Sequence, residues 1–516
     1  MNGKYALSCF ADYRKKCIFA NEIQGRVMKY FLLLLQACCF WCASLAVNAQ
    51  TPTLEELRAV GLPLVEVTTV DGEEPTCEYV SPPEGCIGSG ITNATKVPGR
   101  LRIYDNGGYI YDSGDYEKGV SGMTIKIRGN SSAYEPKKPF KVKLQKKADL
   151  LCRGDAAYKD KDWLLLKDEW FVRGGKVLHM MIGTETARCC GMPWQPEARF
   201  VNLMVNGDYR GVYMLCESVK RNENCRLDVG NTGYIVEHDP YWWNEAVYFS
   251  TTRHEKKYTF KYPDEEDVME EQIDYIRGVI DQMEEALWTG DYPSLVDVDS
   301  WATWLMAHDI LGTCDAAGSN IFLTKYDDTP DSKVMMGPLW DFDTIMENEN
   351  KWATIHDNFD YYFHYLLSMA PDKGVALREA YRLQWENVGQ YVPDQMVAFL
   401  RDFAASDEAV ALQTSNIWDL VRWGYDTWFE PGETPSSIND MVQKAIDWFT
   451  ERKTWMDEHV PAMTTGIHTL SSPSASSSST LSNDSSPFTI YDLTGRPVSP
   501  CHRGVIISEG KAYISK

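Results

Sequence analysis

Residues 312–320 read GTCDAAGSN and residues 337–343 read GPLWDFD. Asp315 and Asn320 flank small residues unsuited to a regular element, so they sit on a loop and can divide labour. The carboxylate can take the proton of an attacking hydroxyl while the amide oxygen binds a metal. Asp341 and Asp343, alternating with aromatics, add further oxygen donors a short way on. Phosphoryl transfer asks for this set, because the protein need only hold the phosphates, provide for a bridging metal and align an acceptor oxygen. The plain alternative is structural: an Asp and an Asn at this spacing occur by chance, and Asp343 equally suits a helix N-cap or a turn.

A phosphate site also needs cations, and the chain as a whole repels anions, with a formal net charge of −23 over 516 residues. That balance excludes nucleic acid and anionic membrane as principal partners. Against it, residues 137, 138, 141, 143, 146 and 147 are all lysine. Immediately upstream, Arg128-Gly129-Asn130-Ser131-Ser132 offers a turn whose backbone amides can approach a phosphate. A solvated strand face explains the same lysines without any ligand.

The elements that must position these groups are mixed. Residues 50–119 alternate turn signals with short apolar runs, giving an N-terminal β segment. In KPFKVKLQ, Phe140, Val142 and Leu144 face one way and Lys141 and Lys143 the other. A helix is expected from WFVRGGKV to RCCG, then two strands joined through Asn206-Gly207, a hairpin signal. Ile273, Ile276, Ile280, Met283 and Leu287 share one face of a further helix. Asp299 or Ser300 is the expected cap of the helix that leads to Asp315. More helices fill residues 355–460. The fold class is therefore α+β, its main domain running over 120–465, followed by a Ser-rich linker (466–486) and a C-terminal β segment (487–516).

Residues 1–49 form a leader. Arg26 and Lys29 flank an apolar run that ends at Val47 and Ala49, so cleavage before Gln50 is expected, with Met28 as the start. Cleavage before Cys38 as a lipoprotein is the rival reading. No other run reaches the roughly 18–20 apolar residues of a membrane span. The chain is thus expected to be exported to the periplasm, cell surface or medium, where Cys77 and Cys86 are expected to form a disulfide. Adjacent Cys189 and Cys190 read as buried small hydrophobes. The 17 Trp and 28 Tyr suit an extracellular or carbohydrate-handling protein as well as a large core.

Taken in order, IRGNSS, PKKPFKVKL, LLLKDEWFVRGGKV, VNLMVNGDYRGVYMLCESV, GYIVEHD, DAAGSNIFLTKY and GPLWDFD resemble the CotH kinase family, named for spore coat protein H. The resemblance implies an atypical protein-kinase-like fold that binds ATP with Mg2+ and phosphorylates serine on secreted or surface proteins. It implies Asp315 as the catalytic-loop aspartate, Asn320 as its metal-binding companion and Asp341 as a metal ligand, with Asp343 in the place of a glycine and a candidate ligand too. It further implies Lys141 or Lys143, and Arg128, at the phosphates, and Glu217 near the nucleotide. Ala316, Ala317 and Gly318 replace bulkier family residues, and RGGK keeps Arg173 and Lys176 but loses a polar residue between them. The tail, with YDLTGR, Val505-Ile506-Ile507 and Gly510-Lys511, resembles the sorting domains of the type IX secretion system of Bacteroidetes, apart from its Pro500-Cys501-His502 insertion. Secretion machinery is then a further partner. Two other functions fit parts of the pattern: a catalytically inactive surface-binding protein, and a glycoside hydrolase using two of the carboxylates.

Overall fold

The computed structural model describes residues 51–167, 176–316, 318–348, 350–355, 361–423 and 437–465, with strands between 490 and 515. The leader with Cys38, Arg173, Ala317 and the serine-rich linker lie outside these residues.

The alternating pattern of the first half produces a sheet that closes on itself. Strand β1 (Leu64–Thr69) pairs in parallel with β9 (Ala198–Val205), which forms a hairpin with β10 (Asp208–Glu217) through Asn206 (φ 51°) and Gly207 (φ 80°), as the Asn-Gly signal implies. The sheet continues antiparallel through β8 (Asp160–Leu166), β7 (Phe140–Ala148) and β6 (Met123–Ile127) to β4 (Val97–Asp105), which pairs back onto β1, while β5 (Gly108–Asp112) hangs from β4. Seven strands thus form a barrel. Period-two burial fills it: Phe140, Val142 and Leu144 pack inward with Trp163, Leu203, Tyr213 and Leu215. The N-terminal β segment supplies β1 and β4 to this closed sheet, and α1 (Leu54–Ala59) covers Leu64 from outside through Leu57.

A separate hairpin, β2 (Glu78–Val80) with β3 (Gly90–Thr92), lies between β1 and β4 in sequence. It accounts for one overturned expectation, since Cys77 and Cys86 are free thiols. Cys77 stands at the open end of the hairpin and packs on the barrel core, whereas Cys86 belongs to the loop joining its strands.

The second half has its own antiparallel sheet, in the order β12 (Tyr248–Ser250), β13 (Lys257–Tyr262), β11 (Tyr234–His238), β14 (Ile321–Lys325) and β15 (Val334–Met336). Helices α2 (His179–Cys189), α3 (Glu270–Thr289), α4 (Val298–Leu311), α5 (Val375–Asn387), α6 (Val392–Ala404), α7 (Asp407–Trp423) and α8 (Ile438–Thr465) share its apolar core. Ile276, Ile280, Met283 and Leu287 of α3 are buried as their spacing requires, and Ile273 packs at the margin. Helix α4 begins earlier than expected: its cap is Asp297, which accepts from Ser300 N at 2.8 Å. Among the described residues no helix is long and apolar enough to cross a membrane. The C-terminal unit, Thr469–Lys516, carries a four-stranded antiparallel sheet, β17-β16-β18-β19 (Pro497–Val498, Ile490–Asp492, Gly504–Ser508, Lys511–Ser515).

Barrel and helices meet at α7. Asp419 accepts from Val212 N at 3.0 Å and pairs at 2.8 Å with Lys137, both charged side chains being buried. Gly211 (φ +103°) marks a bulge in β10, and a Cβ there would lie 1.7 Å from Asp419 Oδ1, so glycine is required twice over. Removing one partner of such a pair strands the other charge at a cost of about 3–5 kcal/mol, whereas removing both relieves much of it. Lys137→Met is therefore expected to lower the unfolding free energy by about 3 kcal/mol or more in denaturant titrations. Lys137→Met with Asp419→Leu should lose less than the two single changes added together.

Candidate active site

A cavity of about 810 Å³ opens where the ends of β6, β7 and β8 and the middle of β10 face the second sheet, the start of α2 and the two loops that carry the acidic motifs. From the barrel come Lys126, the whole Arg128–Ser132 turn, Lys141 and Lys167. From the second sheet and its turns come Glu237, Asp239, Glu245 and Lys261. The loops bring Asp315, Asn320, Asp341 and Asp343.

The local backbone explains how the loops converge. Helix α4 is stopped by Gly312 in the left-handed conformation (φ +59°), with Trp448 of α8 packed where a Cβ would go. The chain then runs beside the second loop: Cys314 N donates to Thr344 O at 3.0 Å, Asp315 N to Thr344 Oγ1 at 3.0 Å and Met346 N to Leu311 O at 2.7 Å. Upstream, Gln195 acts as a side-chain strand partner for Leu339, donating to its carbonyl at 2.6 Å and accepting from its N–H at 3.1 Å. Phe342 is buried against Gly183 of α2, where a Cβ would lie 2.1 Å from its ring, and His179 Nδ1 lies 3.1 Å from the Phe342 carbonyl and donates to it. The ring thus anchors the loop while the aspartates on either side face the cavity.

Asn320 (φ 62°) and Asp341 (φ 63°) both occupy the left-handed region. Non-glycine residues hold that conformation at a cost of about 1–3 kcal/mol, which persists only where the surroundings enforce it. Asn320 Nδ2 donates to Asp341 Oδ2 at 3.3 Å, so an amide and a carboxylate from two loops meet. Among the described residues no three His, Cys, Asp or Glu groups converge into a ready-made metal cage. The donor set still fits Mg2+, which keeps several waters and takes one or two carboxylates together with substrate phosphates. Rotation of the Asn320 amide presents its oxygen at the point where its nitrogen now meets Asp341.

The lysines separate into distinct roles. Lys141 lines the cavity and lies 3.5 Å from Asp162; burial works to raise the Asp162 carboxyl, but Lys141 and Lys220 outweigh it and hold it below its ordinary value. Lys143 is exposed and is not among the lining residues. Lys137 is the buried partner of Asp419, and Lys138 donates to Tyr79 and to the Ala133 carbonyl. Glu217 does not line the cavity either: at the end of β10 it is buried, paired with Arg226 and with Arg153 at 2.8 Å, and accepts from Glu197 N at 3.1 Å. Burial lowers Arg128, with Glu237 and Asp341 as the carboxylates that oppose it. Lys261 pairs with Glu237 at 2.8 Å, and Lys176 with Glu347 at 3.1 Å. Lys167, His179, Glu237, Asp239, Glu245 and Lys261 were not expected at the site. A signal for two of them is GYIVEHD, in which Glu237 and Asp239 stand two apart at the end of an apolar run and so fall on one side of an extended chain.

The family described as CotH kinase protein matches residues 125–456, well over half of the chain. The chain belongs to the CotH kinase family. No curated protein matches it. In this CotH protein the matched region holds every cavity residue named above, from Lys126 to Asp343.

One cavity carboxyl titrates near neutrality. Burial pushes Glu245 up to about 7, Lys261 opposing and Glu265 reinforcing the rise. A carboxyl raised on folding binds its proton more tightly in the native state, so its contribution to stability is lost as pH rises from about 4.3 through 7. Thermal unfolding should accordingly show a lower Tm at pH 8 than at pH 5.5, and Glu245→Gln should flatten that difference.

Proposed function

We propose that this CotH family member is an exported kinase that transfers the γ-phosphoryl group of ATP, with Mg2+, to serine hydroxyls on secreted or surface proteins. The observation that carries this reading is the meeting of the Arg128–Ser132 turn and Lys141 with Asp315, Asn320, Asp341 and Asp343 in one cavity. An otherwise acidic chain gathers cations here, beside carboxylates drawn from two loops. Export is supported by the leader pattern of residues 26–49, and delivery to the surface by the likeness of the tail to a sorting domain.

In this reading Arg128, Lys141 and the amides of Gly129 to Ser132 hold the triphosphate. Asn320 and Asp341, with Asp343 beside them, would hold Mg2+, which when bound neutralises charge on the phosphate oxygens. Asp315 accepts the proton of the serine hydroxyl. As the bond from serine Oγ to the γ-phosphorus forms, the bond from that phosphorus to the bridging oxygen breaks, and ADP departs with the electron pair. Little covalent help is required of the protein beyond this alignment. The hydrogen bonds between the loops, from Cys314 and Asp315 to Thr344, support it by fixing the base relative to Asp341.

The two aspartates are separable by experiment. Asp341→Asn removes an anionic ligand and is expected to weaken Mg2+-dependent ATP binding and to abolish transfer. Asp315→Asn is expected to leave ATP bound nearly as tightly while transfer falls by roughly 10² or more, the scale of a lost general base. Calorimetry with ATP and Mg2+ beside a labelled-phosphate assay separates the cases. Should both variants bind and transfer as the parent does, the two motifs are structural loops and the kinase reading fails.

A further inference from the structure

The β2–β3 hairpin precedes the residues matched by the family, yet Ile91 to Ala94 form part of the cavity wall. It is fixed at two places. At one, Tyr134, in the short 3-10 turn that follows Arg128–Asn130, shares its hydroxyl proton between the Val80 and Gly90 carbonyls, each 3.1 Å away. Its ring rests on Tyr79 with centroids 4.4 Å apart. At the other, Asn244 Nδ2 donates to the Ile91 carbonyl at 2.8 Å and Trp243 Nε1 to the Ile87 carbonyl at 3.2 Å. The fit there is close: a Cβ on Gly88 (φ +79°) would lie 2.3 Å from the Tyr241 ring, and one on Gly90 would lie 2.8 Å from Asn244 Nδ2. Tyr241 to Asn244 follow β11, the strand that carries Glu237.

The hairpin therefore straps the glycine-containing turn of the barrel to the turn after β11, and does so without covalent help. A turn of backbone amides holds an anion well only when those amides are aimed in advance, since ordering them on binding subtracts from affinity. We propose that the β2–β3 hairpin is a clamp that pre-aims the Arg128–Ser132 turn, with Tyr134 and Gly88 as positioning residues that set the affinity for a nucleoside triphosphate. The affinity part of this proposal rests on the reading of the cavity as a kinase site; the clamp itself does not.

The test uses the full chain with Gly88→Ala, which drives the hairpin off Tyr241, and Tyr134→Phe, which keeps the ring contact and removes the shared hydrogen bond. Amide hydrogen exchange at residues 128–132 without ligand reads the clamp, and calorimetry with Mg·ATP reads affinity. Exchange in the turn is expected to rise in both variants. The Kd for Mg·ATP should weaken about fivefold or more, the scale of one or two lost hydrogen bonds. KM for ATP should rise in step while kcat stays within about twofold, a split that general loss of folded protein does not produce. If Gly88→Ala fails to fold, Tyr134→Phe carries the test alone. Unchanged exchange and unchanged affinity in a folded variant would overturn the proposal. A parent that binds no Mg·ATP, with exchange still raised in the variants, would sink the nucleotide reading and leave the clamp standing.

Discussion

Arg452 of α8 is buried, and its guanidinium is spent on backbone carbonyls: Nε donates to Asp309 O at 2.7 Å, Nη1 to Asn348 O at 3.1 Å and Nη2 to Lys351 O at 2.9 Å. These carbonyls belong to the end of α4 and to the chain just after the second acidic motif, so one side chain joins the two loops from behind. Burial lowers it to about 10, still charged at neutral pH, and Asp309 and Tyr381 oppose the shift. Asp309 in turn accepts from Thr354 N and Oγ1, at 3.1 and 2.8 Å, and from Tyr381 OH at 2.9 Å. A buried charge costs several kcal/mol to desolvate unless its hydrogen-bonding capacity is met. Here it is met by groups that are themselves held, so the shape of the two loops depends on the packing of the helical half.

The barrel imposes the complementary constraint. Its strands put alternate residues inside, so the charged residues that reach the cavity stand on the outer face of β6 and β7 or at strand ends. Lys126 and Lys141 are cross-strand neighbours, and burial followed by Lys141 lowers Lys126. Like charges directly opposite on a sheet repel. The barrel tolerates them because Asp162 lies on the next strand, beside Lys141. The cavity thus sits where a rigid sheet presents cations and a braced pair of loops presents carboxylates. Either set alone would be an unbalanced field in a chain of this charge.

What the sequence makes legible is what local pattern can carry. The inward positions of β7, the Asn206-Gly207 hairpin and the buried face of α3 follow from period and turn chemistry, and each is found. Closure of the barrel is not legible, because β1 pairs in parallel with β9 and antiparallel with β4, and no residue of β1 names its partners. The lysine run misleads for the same reason. Lys137 and Lys141 look alike in sequence, yet one meets Asp419, 282 positions away, and the other meets the cavity. Glu217 carries no mark distinguishing a ligand carboxylate from one neutralised by two arginines. In contrast Asp315, Asn320, Asp341 and Asp343, singled out by residue type and order along two short loops, do come together in one cavity.

The same contrast explains where a family pattern stops being informative. The residues matched by the family include the turn, the strands and the two loops that line the cavity. What aims those groups is a set of supporting contacts: a helix C-cap made possible by Trp448 packing on Gly312, Phe342 seated on Gly183, an amide of Gln195 standing in for a strand. None of these contacts is legible from either residue alone, because each joins positions far apart in the chain. Residues 51–124 add a further layer, completing the barrel and walling the cavity before the residues matched by the family begin.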